Sequence, residues 1–159
     1  MLFLGIDPGY AIVGYGVIKK EKSTFKAKEY GTIQTSPDIP IEERLLLIYN
    51  DCKKLLKEIN PDVVAIEQLF FYKNVTTAMN VSQARGIVVL AAHQAKKPIV
   101  EATPLQIKQA LTGYGKADKQ QMQRMVQTLL KLKEIPNPDD AADALAVALY
   151  AAQVHNPQI

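Results

Sequence analysis

The chain has 159 residues, 48% of them hydrophobic and 22% charged, a balance that supports a packed core and excludes disordered and fibrous classes. Its 19 Lys and Arg against 16 Asp and Glu give a formal charge of +3. No apolar run approaches the roughly 18 residues of a membrane span, the opening Met-Leu-Phe-Leu-Gly-Ile-Asp lacks the pattern of an export signal, and the single cysteine, Cys52, excludes a disulfide framework and a cysteine-based zinc site. The default expectation is one cytoplasmic domain over residues 1–159, with no membrane partner.

Residues 3–7 read as a short strand closed by Pro8-Gly9, followed by strands over 14–20 and 26–35 whose short connections predict antiparallel hairpins. Pro40 opens a long helix in which Leu45, Leu46, Ile48, Tyr49, Cys52, Leu55, Leu56 and Ile59 recur at helical spacing, and Asn60-Pro61 ends it. Val63-Val64-Ala65-Ile66 is a continuous apolar run ending in Glu67, the pattern of a buried parallel strand. A helix over 77–95, a short strand over 98–100 and helices over 104–111, 119–132 and 138–154 complete the chain. The sum is an α/β arrangement around a mixed five-stranded sheet whose first three strands are antiparallel. A crossover makes the fourth strand parallel to a neighbour, and the first strand is the expected one. Asp7 and Glu67, each the last residue of its strand, then stand side by side, where ligands bind in open α/β sheets.

Asp140 and Asp143 are three apart at the start of the last helix and share a face that continues through Val147 and Tyr150. Asn137 as N-cap with Pro138 at the first helical position would explain acids in the first turn, which satisfies Asp139 and in part Asp140. It does not explain Asp143, expected on an inward face, where an unpaired carboxylate costs several kcal/mol. Asp7 could be ordinary Asp-Pro-Gly turn chemistry, whereas an apolar strand ending in Glu67 has no such excuse. Carboxylates that converge repel each other unless a cation joins them. Hard oxygen donors without a histidine or cysteine cluster point to Mg²⁺, with Mn²⁺ able to substitute. Two such ions about 4 Å apart activate water and stabilise a leaving oxygen, so phosphodiester hydrolysis is the natural chemistry. Setting these four acids aside leaves 12 against 19 basic residues, a charge balance suited to a polyanion.

Gly5-Ile6-Asp7-Pro8-Gly9 with Gly14-Tyr15-Gly16, then Ala65-Ile66-Glu67-Gln68, Gln83-Ala84-Arg85-Gly86 and Asp140-Ala141-Ala142-Asp143-Ala144-Leu145-Ala146, in that order over nearly the whole chain, closely resemble the RuvC family of bacterial Holliday-junction resolvases. The resemblance implies an RNase H-like fold, a homodimer, magnesium-dependent symmetric nicks across four-way junction DNA, and cooperation with the RuvA–RuvB branch-migration complex. It places the family's catalytic and metal-binding acids on Asp7, Glu67, Asp140 and Asp143; Asp139 lies beside that motif, and the match through Ala-Ala-Asp-Ala-Leu favours Asp140. It also implies DNA contacts by Phe70, Lys108 and Lys119.

The residues around these positions are compatible with such contacts. Phe70-Phe71-Tyr72-Lys73-Asn74 suits stacking on unpaired bases, worth about 1–3 kcal/mol each, although one or two of these rings could simply cap the core. Lys116 and Arg124 are weaker DNA candidates, and Lys19, Lys20, Lys22, Lys26 and Lys28 read as a solubilising hairpin. Gly86 within a strong helix suggests close packing. The run from Ile87 to Ala92 is apolar around its whole circumference, which fits burial on two sides, by core and by a partner subunit. His155 reads as part of a mobile tail.

Other readings are an RNase H-like nuclease acting on RNA or another nucleic acid, a sugar kinase or actin-like ATPase, and a DNA-structure-binding module with a dead site. The ATPase reading needs two lobes, more than 159 residues supply, and the complete acid set argues against a dead site.

Overall fold

The computed structural model describes residues 1–69 and 75–155. Strands β1 (Leu2–Asp7), β2 (Ile12–Glu21) and β3 (Thr24–Gln34) form an antiparallel meander. Strand β4 (Val63–Glu67) joins β1 in parallel, and β5 (Ile99–Ala102) joins β4 in parallel, giving the order β3-β2-β1-β4-β5. The mixed five-stranded sheet and the pairing of first and fourth strands match expectation.

β1 and β4 are buried on both faces because their side chains alternate between two apolar layers. Leu4, Ile6, Val64 and Ile66 face helices α1 (Ile41–Ile59) and α2 (Val75–Gln94). Phe3, Val63 and Ala65 face the opposite layer, built from α3 (Pro104–Thr112), α4 (Lys119–Leu130) and α5 (Asp139–Val154). Capping boxes start α3, where Thr103 pairs with Gln106, and α4, where Asp118 pairs with Gln121; Gly113 at φ 71° closes α3.

Helix α5 decides where the site forms. Its middle is buried nearly all round, from Ala141 to Ala152, and it lies directly on glycines of the two central antiparallel strands. Gly5 and Gly16 are register partners, and Gly14 is the partner of Asp7. A Cβ on Gly5 would lie 2.1 Å from the main-chain oxygen of Ala144, one on Gly16 2.8 Å from Leu145, and one on Gly14 2.0 Å from the main-chain oxygen of Asp140. Small residues on both sides therefore set the helix-to-sheet distance, and that distance carries the first turn of α5 over the end of β1.

Several expectations change. The position before α5 is Pro138, not Asn137, and no side chain caps the helix, so Asp139 and Asp140 supply the negative charge for its amino end. Gly86 is exposed and a Cβ there would meet nothing within 4 Å, because this flank of α2 faces outward rather than into the chain's own core. On α1, Leu46 is 57% exposed while Arg44 is buried, its Nε donating to Thr35 Oγ1 at 2.8 Å and its guanidinium lying over the Tyr10 ring. Lys20 is not merely solubilising: its Nζ donates to the Ala152 carbonyl at 2.6 Å and ties the hairpin to the end of α5. His155 packs edge-on against Phe3, with ring centroids 5.7 Å apart.

Gly14→Ala is expected to destabilise the protein by about 1–3 kcal/mol, the usual cost of overpacking, and to push Asp140 away from Asp7. Denaturant unfolding reads the first effect and a crystal structure of the variant the second. Wild-type results on both would mean that the close approach does not require glycine there.

Candidate active site

The last ladder pair between the two parallel strands is Ile6 with Ile66, so Asp7 and Glu67 are the next residues along, at adjacent strand ends. Alternation puts both side chains on the α5 face, in step with Gly5 and Ala65. Their carboxyl groups hydrogen-bond to each other, the Glu67 hydroxyl donating to the Asp7 carboxylate. Burial is the main reason that both hold their protons unusually tightly. Glu67 is pushed up to about 8 by burial, then by the charge of Asp7 and its hydrogen bond to it, and by Asp143; Lys108 opposes the shift. Asp7 is raised to about 6 by burial and by Asp143, with Asp140 adding a smaller push, while the Glu67 hydrogen bond and Lys119 pull it down.

Asp140 and Asp143 come from the first two turns of α5. The Asp143 side chain is 40% exposed: the inward face expected for it is the rim of an open cleft. Partial burial raises its pKa, the charge of Lys119 opposes this, and Asp140 and Asp139 reinforce it. Asp139 takes a different direction. It receives hydrogen bonds from Lys119 Nζ at 2.8 Å and from Gln123 Nε2 at 2.8 Å, both on α4, and its pKa is lowered chiefly by Lys119. The Lys119 ammonium lies 4.0 Å from Asp143 Oδ2.

Glu67, Lys108, Lys119 and Asp143 line one open cleft of about 230 Å³, floored by Pro104, Ile107, Met122 and Ala146. The structure thus brings two sequence-predicted lysines to the predicted acids, from α3 and from the first residue of α4. Lys116 and Arg124 are exposed and outside this cleft. Phe70 lies outside the described residues. Among the described residues, no three carboxylate, imidazole or thiol groups converge as a finished cation cage. Burial and mutual repulsion raise the proton affinity of Glu67 and Asp7, and Lys119 offsets the charge of Asp139 and Asp143. The donors are all hard carboxylate oxygens, and a divalent cation of the Mg²⁺ class fits them. Sequence reasoning missed Arg85, which reaches Glu67 from the other face of the sheet; its only signal was membership of the Gln-Ala-Arg-Gly motif.

An RNase H-like sheet with acids gathered at the carboxyl ends of its central strands and basic side chains across the cleft defines a nuclease. The family model for crossover junction endodeoxyribonuclease RuvC matches residues 3–151. The chain belongs to the RuvC family. It is 53% identical over 153 residues to the RuvC protein of Brevibacillus brevis, covering 96% of this chain and 92% of that one. It is 55% identical over 152 residues to that of Alkaliphilus metalliredigens, covering 96% and 93%. Among solved structures it is similar to Thermus thermophilus RuvC in complex with a Holliday junction substrate, with a TM-score of 0.90 and 38% identity over 96% of this chain and 93% of that one. The yeast mitochondrial Holliday junction resolvase Ydc2 shares the fold, with a TM-score of 0.71 at 14% identity over 95% of this chain and 78% of that one.

The shared proton has a measurable consequence. Both carboxyls bind their protons more tightly when folded than at the ordinary values of 3.8 and 4.5. The folded metal-free protein therefore holds more protons than the unfolded chain, and its stability is expected to fall as pH rises from about 4.5 through about 8. Thermal denaturation in chelator should show that decline, Glu67→Gln should flatten it, and Mg²⁺ should offset it by favouring the ionised pair. A wild-type slope equal to that of Glu67→Gln would rule out the shared proton.

Proposed function

We propose that this chain is a Holliday-junction resolvase: one nuclease domain over residues 1–159 that hydrolyses phosphodiesters at the branch point of four-way junction DNA. The observation that carries the chemistry is the pairing of Asp7 with Glu67 at adjacent strand ends beneath the amino end of α5. Asp7, Glu67, Asp140 and Asp143 are the catalytic and metal-binding set. Asp7 is central, with neighbours on both β4 and α5, and with Glu67, Asp140 and Asp143 it would hold Mg²⁺, two ions per site; Mn²⁺ would satisfy the same donors. Bound there, the metals supply Lewis acidity and a water of lowered pKa. The junction as substrate is supported by the likeness to the junction-bound Thermus thermophilus protein.

The chain's own residues prepare the cleft for a polyanion. Lys108 and Lys119 offset the acids and offer ammonium groups to a backbone phosphate, and Phe70, three residues beyond Glu67, is assigned to stacking at the junction centre. A homodimer would use the outward flank of α2, where Met79 is 60% and Leu90 46% exposed and Gly86 leaves room for close approach. Two such sites related by a two-fold axis suit paired, symmetric nicks. The family resemblance supports cooperation with the RuvA–RuvB complex in the cytoplasm; among the described residues no helix is long and apolar enough to cross a membrane.

Purified protein with Mg²⁺ is expected to nick a synthetic four-way junction symmetrically and to leave simple duplex intact. Asp7→Asn should lower cleavage by about 10²-fold or more, consistent with losing several kcal/mol of charge stabilisation, while junction binding persists. Equal cleavage of junction and duplex would point to an RNase H-like nuclease acting on another nucleic acid.

A further inference from the structure

The catalytic end of β4 is held from the side of the sheet that the cleft does not occupy. Arg85, in the middle of α2, has a side chain only 21% exposed. Its Nε donates to the main-chain oxygen of Glu67 at 3.2 Å, and its terminal nitrogen makes an ion pair with Glu101 of β5. The second oxygen of Glu101 accepts from Gln68 Nε2 at 3.2 Å, and the Gln68 main-chain N–H donates to the Ala102 carbonyl at 2.8 Å. Glu67 carbonyl, Arg85, Glu101 and Gln68 therefore close a ring around the last residue of the strand.

The pleat explains the arrangement. Glu101 is the register partner of Ile66 and shares its face, towards α2, whereas the Glu67 carboxyl faces α5. One residue is thus gripped by its main chain from one layer while it presents its side chain to the other. We infer that Arg85 is a positioning residue for Glu67: it fixes the strand end, and so the placement of the carboxylate in the cleft. This rests on reading Glu67 as catalytic. The guanidinium fork is needed because two acceptors, a carbonyl and a carboxylate, must be held at once; an ammonium is a single point of charge with no such rigid fork. The ring also ties both flanks of residues 70–74, Gln68 on one side and α2 on the other.

The test compares wild type, Arg85→Lys, Arg85→Gln and Glu101→Gln in cleavage of a synthetic four-way junction across a Mg²⁺ titration. Junction binding in Ca²⁺, thermal denaturation and calorimetric Mn²⁺ binding are measured alongside. Both Arg85 variants are expected to lose about 10- to 100-fold in kcat, the scale for a displaced catalytic group, and to need several-fold more Mg²⁺. Their KM and junction binding should stay unchanged, Mn²⁺ affinity should fall, and Lys should not rescue. Glu101→Gln, which keeps a hydrogen-bonding side chain, should lie between and covers the case in which an Arg85 variant fails to fold. Wild-type kcat and metal affinity in Arg85→Gln, rescue by Lys, or a loss confined to junction binding would each overturn the inference. Absence of cleavage by the wild type would instead remove the nuclease reading, leaving Mn²⁺ affinity as the independent measure of Arg85.

Discussion

Helix α5 can lie against the sheet only because Gly5, Gly14 and Gly16 have no side chains where they meet Ala144 and Ala148, Asp140 and Leu145 of the helix. Backbone meets backbone over two strands, and the rest of the site is a consequence of that distance. The amino end of α5 arrives beside the end of β1, so Asp140 and Asp143 come within electrostatic reach of Asp7 without any long side chain bridging the layers. Larger residues at these glycines would lift the helix, and its acids would face water instead of the strand ends.

Bringing acids so close has an electrostatic cost, and the protein meets it locally. Burial, reinforced by neighbouring charges, makes Glu67 and Asp7 hold protons more tightly than free carboxyls. Asp139 plays a separate part at the edge of the site. By binding Lys119 at 2.8 Å, with Gln123 supporting it, Asp139 anchors that ammonium 4.0 Å from Asp143. The lysine tempers the negative potential while remaining on the open side of the cleft. Membership of a nuclease family gives such crowding a purpose, because a divalent cation relieves it more fully than one lysine can.

Much of this was legible in the sequence because the strongest signals were local and periodic. Apolar runs marked β1 and β4, a crossover fixed their parallel pairing, and terminal acids on both strands followed. What escaped depended on contacts between distant residues. Gly5, Gly14 and Gly16 were visible as a motif, but their role needs the helix that packs on them. Asp143 was placed on an inward face from helical spacing alone, and spacing cannot show that the neighbouring layer opens into a cleft at that point. Asn137 looked like a cap by residue type, yet Pro138 takes that position. Gly86 suggested tight packing, and its flank of α2 faces outward from this chain.

Holding Glu67 from both layers also answers a problem posed by parallel strands. The last residue of such a strand has a ladder partner on only part of its backbone, so it is the least constrained by the sheet. β4 sits between β1 and β5, and its end gains Asp7 as a side-chain partner on one face and Arg85 as a main-chain donor on the other. Precision at the strand end therefore comes from the layers rather than from the sheet. Among the described residues the α1–α2 layer lines no part of the cleft, yet its Arg85 reaches across to the main-chain oxygen of Glu67.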